Sequence, residues 1–89
     1  MIRCTIEIEN EKGLHARASA KLVEVVEGFD ASAEVSKDGM TASGDSIMGL
    51  LMLAASRGTF IDIETTGPEA EALSQALKDL VSGKFGEEA

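Results

Sequence analysis

The chain has little of what most reactive proteins rely on. It contains no Trp and no Tyr, three Phe, one Pro, one Cys and one His among 89 residues. One cysteine excludes an internal disulfide, and Cys4 alternates with Ile2, Ile6 and Ile8, so it reads as a small buried apolar side chain. That usage fits a reducing cytoplasm. Cations are also scarce: eight Lys and Arg face sixteen Asp and Glu, a formal charge of -8. Nucleic-acid binding draws its affinity from clustered Lys and Arg, and anionic membrane surfaces attract the same residues, so neither is an expected partner. No apolar run approaches the roughly 20 residues needed to span a bilayer. The early charges Arg3, Glu7 and Glu9 do not suit a secretory signal. There is no repeat, linker or low-complexity tract, so residues 1–89 are expected to form one domain. A chain this short buries only about two-thirds of its unfolded surface, enough for one core but not for a deep substrate cavity.

What is present is clear hydrophobic patterning. Residues 2–9 alternate, with Ile2, Cys4, Ile6 and Ile8 on one side, and predict a strand wet on the other side. From Ala16 the period becomes helical, with Ala18, Leu22, Val25, Val26 and Phe29 on one face, and Gly28 ends that helix. Residues 31–36 alternate with Ala31, Ala33 and Val35 inward, and Asp38-Gly39 turns a hairpin into residues 40–43. Ser46 opens a short apolar helix that Gly58 helps to close. Residues 59–66 form a strand with Ile61 and Ile63 inward. Gly67-Pro68-Glu69 starts the last helix, whose stripe is Leu73, Ala76, Leu77, Leu80 and Val81. The order strand, helix, strand, strand, helix, strand, helix (βαββαβα) predicts an α+β fold with helices on one face of an antiparallel sheet.

The candidate site is Gly13-Leu14-His15-Ala16-Arg17. A histidine here can be a mere helix cap or an exposed side chain without a role. Three neighbouring features favour chemistry. Gly13 frees the backbone, the unpaired N–H groups of the first helical turn form an anion site, and Arg17 offers a planar cation for phosphate oxygens. The positive helix end favours the neutral, nucleophilic ring, and the same donors stabilise the ring once it carries a dianionic group. No second histidine, P-loop or metal-ligand cluster accompanies it, and no cofactor is expected. One reactive nitrogen without further machinery fits a relay.

Residues 47–53, Ile-Met-Gly-Leu-Leu-Met-Leu, are apolar almost all round. One helix in a small domain buries one side, here Leu50, Leu53 and part of Leu51. Ile47, Met48 and Met52 are left as candidates for an exposed docking patch, although periodicity alone fits a wholly buried segment equally well. Ser46 reads as an N-cap.

Taken together, Gly13-Leu14-His15-Ala16-Arg17, Ser46-Ile47-Met48-Gly49 and the chain length resemble HPr, the histidine-containing phosphocarrier of the bacterial phosphotransferase system. The resemblance implies an open-faced β-sandwich, four antiparallel strands in the order 1-4-2-3 backed by three helices. It implies that His15 accepts phosphate on Nδ1 from phospho-enzyme I, charged by phosphoenolpyruvate, and passes it to enzyme IIA domains. Arg17 carries over as the phosphate-binding neighbour, and Ser46 matches the serine modified by HPr kinase/phosphorylase in bacteria that have one. Docking is expected at Ala16, Ala20, Ile47, Met48 and Leu51, on a monomer. The chain departs from the family in having Ala18 where Pro is usual, which returns one N–H donor near the phosphate. The acidic balance and Ala18-Ser19-Ala20-Lys21 also resemble the nitrogen-related branch, where the carrier mainly signals, and both branches stay open.

Overall fold

The strong alternation and the helical stripes are realised in a computed structural model that describes residues 1–88 and leaves Ala89 outside the described residues. Strand β1 (Ile2–Glu7) is followed by α1 (Ala16–Glu27), β2 (Ser32–Lys37), β3 (Met40–Ser43), α2 (Ile47–Met52), β4 (Phe60–Thr66) and α3 (Ala70–Ser82). The strands pair antiparallel in the order β1-β4-β2-β3. In that register Ile63 of central β4 lies between Cys4 of β1 and Val35 of β2. Ala33, Val35, Ala42, Ile61 and Ile63 are buried on one face, with α1, α2 and α3 covering it, while the alternate residues face outward. The expected open-faced sandwich, with three helices on one side of a 1-4-2-3 sheet, is the observed fold.

The hairpin forms as its sequence requires. Asp38 and Gly39 both take positive φ (50° and 83°), and Lys37 pairs with Met40 across the turn. Leu22 and Val26 of α1, Leu50 and Leu53 at α2, and Leu73, Leu77 and Val81 of α3 join Ile8, Ile61 and Ile63 in one core.

Several local expectations need correction. β1 stops at Glu7, and Ile8 continues as a loop tied to Thr59 and Gly58. Ile2, Cys4 and Ile6 are half-buried rather than buried, because β1 is an edge strand with a neighbour on one side only. Ala31 precedes β2. Gly58 does not close α2; the helix ends at Leu53 and Ala54, whose N–H groups bond back to Leu50 and Leu51 while Ala54 takes the left-handed conformation (φ 51°). Gly58 serves the turn into β4. Pro68 leads into α3 from outside it, with Glu69 at the N-cap. Beyond α3 a further single turn, Lys84–Gly86, buries Phe85 completely. Burial of such a side chain is worth about 1.5–3 kcal/mol, so the C-terminal segment is fastened to the core.

Candidate functional site

The loop before α1 is shaped by a close approach of two backbones. Gly13 takes φ 65°, and a Cβ there would stand 2.4 Å from the Ala55 carbonyl oxygen. Leu14 is buried and donates its N–H to the same oxygen (2.8 Å). The next residue, His15, is thereby fixed at the N-cap of α1 with an extended backbone (φ -81°, ψ -176°). Its carbonyl accepts the first intrahelical bond from Ser19 (2.8 Å). Its Nδ1 accepts the Arg17 backbone N–H (3.3 Å). The cap therefore uses the same ring nitrogen that the family resemblance makes the expected phosphate acceptor.

The opposite side of the ring is held as well. Nε2 lies 2.5 Å from the Glu87 carboxylate, a residue 72 positions away. The second Glu87 oxygen accepts from Asn10 Nδ2 (3.1 Å), which also donates to the Gly13 carbonyl (2.8 Å). Asn10 is completely buried, so one side chain ties the loop, the ring's partner and the C-terminal segment together. Its Oδ1 accepts no hydrogen bond among the described residues. The His15 hydrogen bond, followed by Asn10 and the nearby Lys12 charge, outweighs desolvation and holds the Glu87 carboxyl below the usual carboxylate range. Because Nδ1 accepts a hydrogen bond from the Arg17 backbone N–H, a neutral ring carries its own proton on Nε2, which donates to the Glu87 carboxylate. The Nδ1 lone pair then points to the helix start.

Glu11, Lys12, His15, Arg17 and Glu87 line a shallow cleft of about 140 Å³. Both His15 and Glu87 keep some exposure, at 25% and 16% of their side chains. Arg17 is exposed and makes no ion pair among the described residues, so its guanidinium can meet an anion at the ring. The N–H of exposed Ala16 also donates no hydrogen bond among those residues, which leaves the start of α1 open to anionic oxygens. Among the described residues no group of three or more His, Cys, Asp or Glu is placed to hold a metal ion.

Ser46 caps the second short helix. Its Oγ accepts the Gly49 N–H (3.0 Å), and a Cβ at Gly49 would crowd that oxygen at 3.1 Å and Ala42 Cβ at 3.2 Å. Leu50 and Leu53 are buried, Leu51 is half-buried, and Ile47, Met48 and Met52 are 40%, 71% and 67% exposed. The wholly buried alternative for this segment is thus excluded. α1 packs against α2, with Ala16 exposed and Ala20 half-buried on α1. Glu87, the ring's partner, and Asn10, which holds Glu87, are the residues that spacing did not suggest; Phe85, an isolated aromatic among polar residues after α3, was the one signal that the C-terminal segment returns to the core.

Residues 2–83 match the family model described as PTS HPr component phosphorylation site. Among curated relatives, the Neisseria meningitidis serogroup A phosphocarrier protein HPr is 46% identical over 87 residues, covering 98% of both chains. The Escherichia coli K12 phosphocarrier protein NPr is 39% identical over 88 residues, again covering 98% of both. Among solved structures, HPr-C-His from Thermoanaerobacter tengcongensis superposes with a TM-score of 0.95 at 39% identity over the whole of both chains.

Proposed function

The chain belongs to the HPr family of phosphocarriers, and from that premise we propose that His15 Nδ1 takes a phosphoryl group from phospho-enzyme I and passes it to enzyme IIA domains. The observation that carries this reading is the placement of the chain's only histidine at the start of α1, Nδ1 toward the helix N–H groups and Arg17 alongside. In the acceptance step the Nδ1 lone pair forms a bond to phosphorus as the bond from phosphorus to the donor breaks. The Arg17 N–H, released from Nδ1, joins that of Ala16 around the phosphoryl oxygens, and the Arg17 guanidinium binds them from the open side. Discharge reverses these events. The protein works as a monomeric relay in the cytoplasm rather than as a catalyst on its own.

Partners dock on the exposed apolar residues Ile47 and Met48 with Leu51, continued by Ala16 and Ala20. The same surface favours a second reading, a regulator that signals by protein binding in the nitrogen-related branch. Its switch is Ser46: a phosphate there brings about -1.5 to -2 charges to the edge of the apolar patch.

Enzyme I with labelled phosphoenolpyruvate is expected to give an acid-labile, base-stable phosphoprotein. Equal labelling of His15→Ala contradicts the relay. An HPr kinase with ATP is expected to add an acid-stable label, and its persistence in Ser46→Ala refutes that site.

A further inference from the structure

The contact between Glu87 and His15 joins the two ends of the chain at the reacting ring, and the segment that delivers it is built for that placement. Lys84, Phe85 and Gly86 all take positive φ (57°, 55° and 78°). Two of these are side-chain-bearing residues in a region that L side chains rarely adopt, so packing and hydrogen bonds must hold the turn. Phe85 supplies the packing, being wholly buried. Lys21 Nζ, from α1 itself, donates to the Phe85 carbonyl (2.6 Å). The Glu87 N–H bonds to Lys84 (2.9 Å), and Asn10 fixes one carboxylate oxygen while the other takes the ring. Two of these fastenings, from Lys21 of α1 and from Asn10 of the loop before it, thus come from elements that also position His15.

We propose that Glu87 is a positioning residue for phosphoryl transfer: through Nε2 it holds the ring in the tautomer whose Nδ1 attacks, and it compensates the charge the ring acquires. This rests on Nδ1 of His15 being the acceptor. As Nδ1 forms its bond to phosphorus, the Nε2–H proton stays in place, and the donor group leaves with the electron pair of its own bond to phosphorus. The ring then bears one positive charge beside the Glu87 carboxylate. On discharge the N–P pair returns to Nδ1 and the ring departs as the neutral Nε2–H imidazole. No proton crosses in either direction, so neither step needs a separate acid or base. The carboxylate in a serine-protease triad plays the comparable part toward its imidazole.

The test compares the full chain with Glu87→Ala and Glu87→Gln, using ¹⁵N shifts of the neutral imidazole and rates of transfer from phospho-enzyme I. The wild-type ring is expected to be predominantly protonated on Nε2, and Glu87→Ala to give a mixture of tautomers. Outer partners of this kind typically contribute about 10–100-fold, so kcat in Glu87→Ala should fall at least about ten-fold. Glu87→Gln, whose amide oxygen can still accept from Nε2, should keep the tautomer but recover only part of the rate. An unchanged tautomer ratio in Glu87→Ala, or transfer within about two-fold of wild type, overturns the proposal. If the wild-type chain takes no phosphate at all, the relay reading fails instead, and the ¹⁵N shifts still decide whether Glu87 orients the ring.

Discussion

Helices α1 and α2 each begin at a side chain that caps its own helix and is proposed to carry phosphate, yet the two starts are built differently. At α1 the capping atom is Nδ1 of an imidazole, its hydrogen bond to Arg17 is long at 3.3 Å, and a carboxylate holds the other side of the ring. At α2 the Ser46 hydroxyl bonds Gly49 at 3.0 Å, and Ile47, Met48 and Met52 leave an apolar surface beside it. The first start presents a ring nitrogen on an imidazole fixed from behind, with a guanidinium nearby that makes no ion pair among the described residues. The second satisfies the hydroxyl locally and presents hydrocarbon to whatever approaches. A shared capping geometry therefore does not make a shared function. What stands behind the cap decides it.

Substitutions can separate the two starts. Phe85→Ala should have the largest effect, because truncating a buried Phe typically costs about 3–5 kcal/mol. Denaturant unfolding should record that loss, and transfer to His15 should slow as the Glu87 contact loosens. Arg17→Ala should leave stability unchanged and slow transfer from phospho-enzyme I by about 10²-fold, the usual effect of removing one anion-stabilising donor. If it slows partner binding instead, raising KM with kcat intact, Arg17 belongs functionally with the docking surface.

Ser46→Ala should act in the opposite way. Loss of an N-cap costs about 1 kcal/mol, and about 4–8 °C in Tm for a domain of this size, with His15 phosphorylation unaffected. A matching loss of transfer rate would break the distinction between the two starts. The smallest effect expected is on acid stability. The Glu87 carboxyl is held below its ordinary value in the folded chain, so its contribution is fully present above that ordinary value and is lost as pH falls through the lowered one. The stability difference between wild type and Glu87→Gln should accordingly be constant near neutral pH and shrink in that acidic window. A constant difference throughout would show that the carboxylate charge is not the source.

Much of this was legible in the residues, and the exceptions have physical reasons. Ile61 and Ile63 declared β4, Asp38-Gly39 declared the hairpin, and Leu73, Leu77 and Val81 declared α3, because each element buries one face at its own period. His15 and Arg17 could be placed at a helix start because the anion site there depends on local backbone geometry. Exposure of Met48 could not be settled from periodicity, since an apolar helix has no polar face to mark its outside; only the packing of Leu50 and Leu53 did so. Glu87 was hidden for a different reason. Its 72-residue separation from His15 carries no period, and three successive left-handed residues obey tertiary packing, not local propensity. Asn10 gave no signal because a buried amide in a loop looks, in sequence, like any solvated turn residue.

The most direct test of the central claim is to phosphorylate the wild-type chain with enzyme I and phosphoenolpyruvate and locate the phosphorus by ³¹P and ¹⁵N NMR. The expected result is one phosphoryl group per chain, bonded to Nδ1 of His15, with Nε2 still protonated against Glu87. Phosphorus on Nε2, or on any residue other than His15, would contradict it.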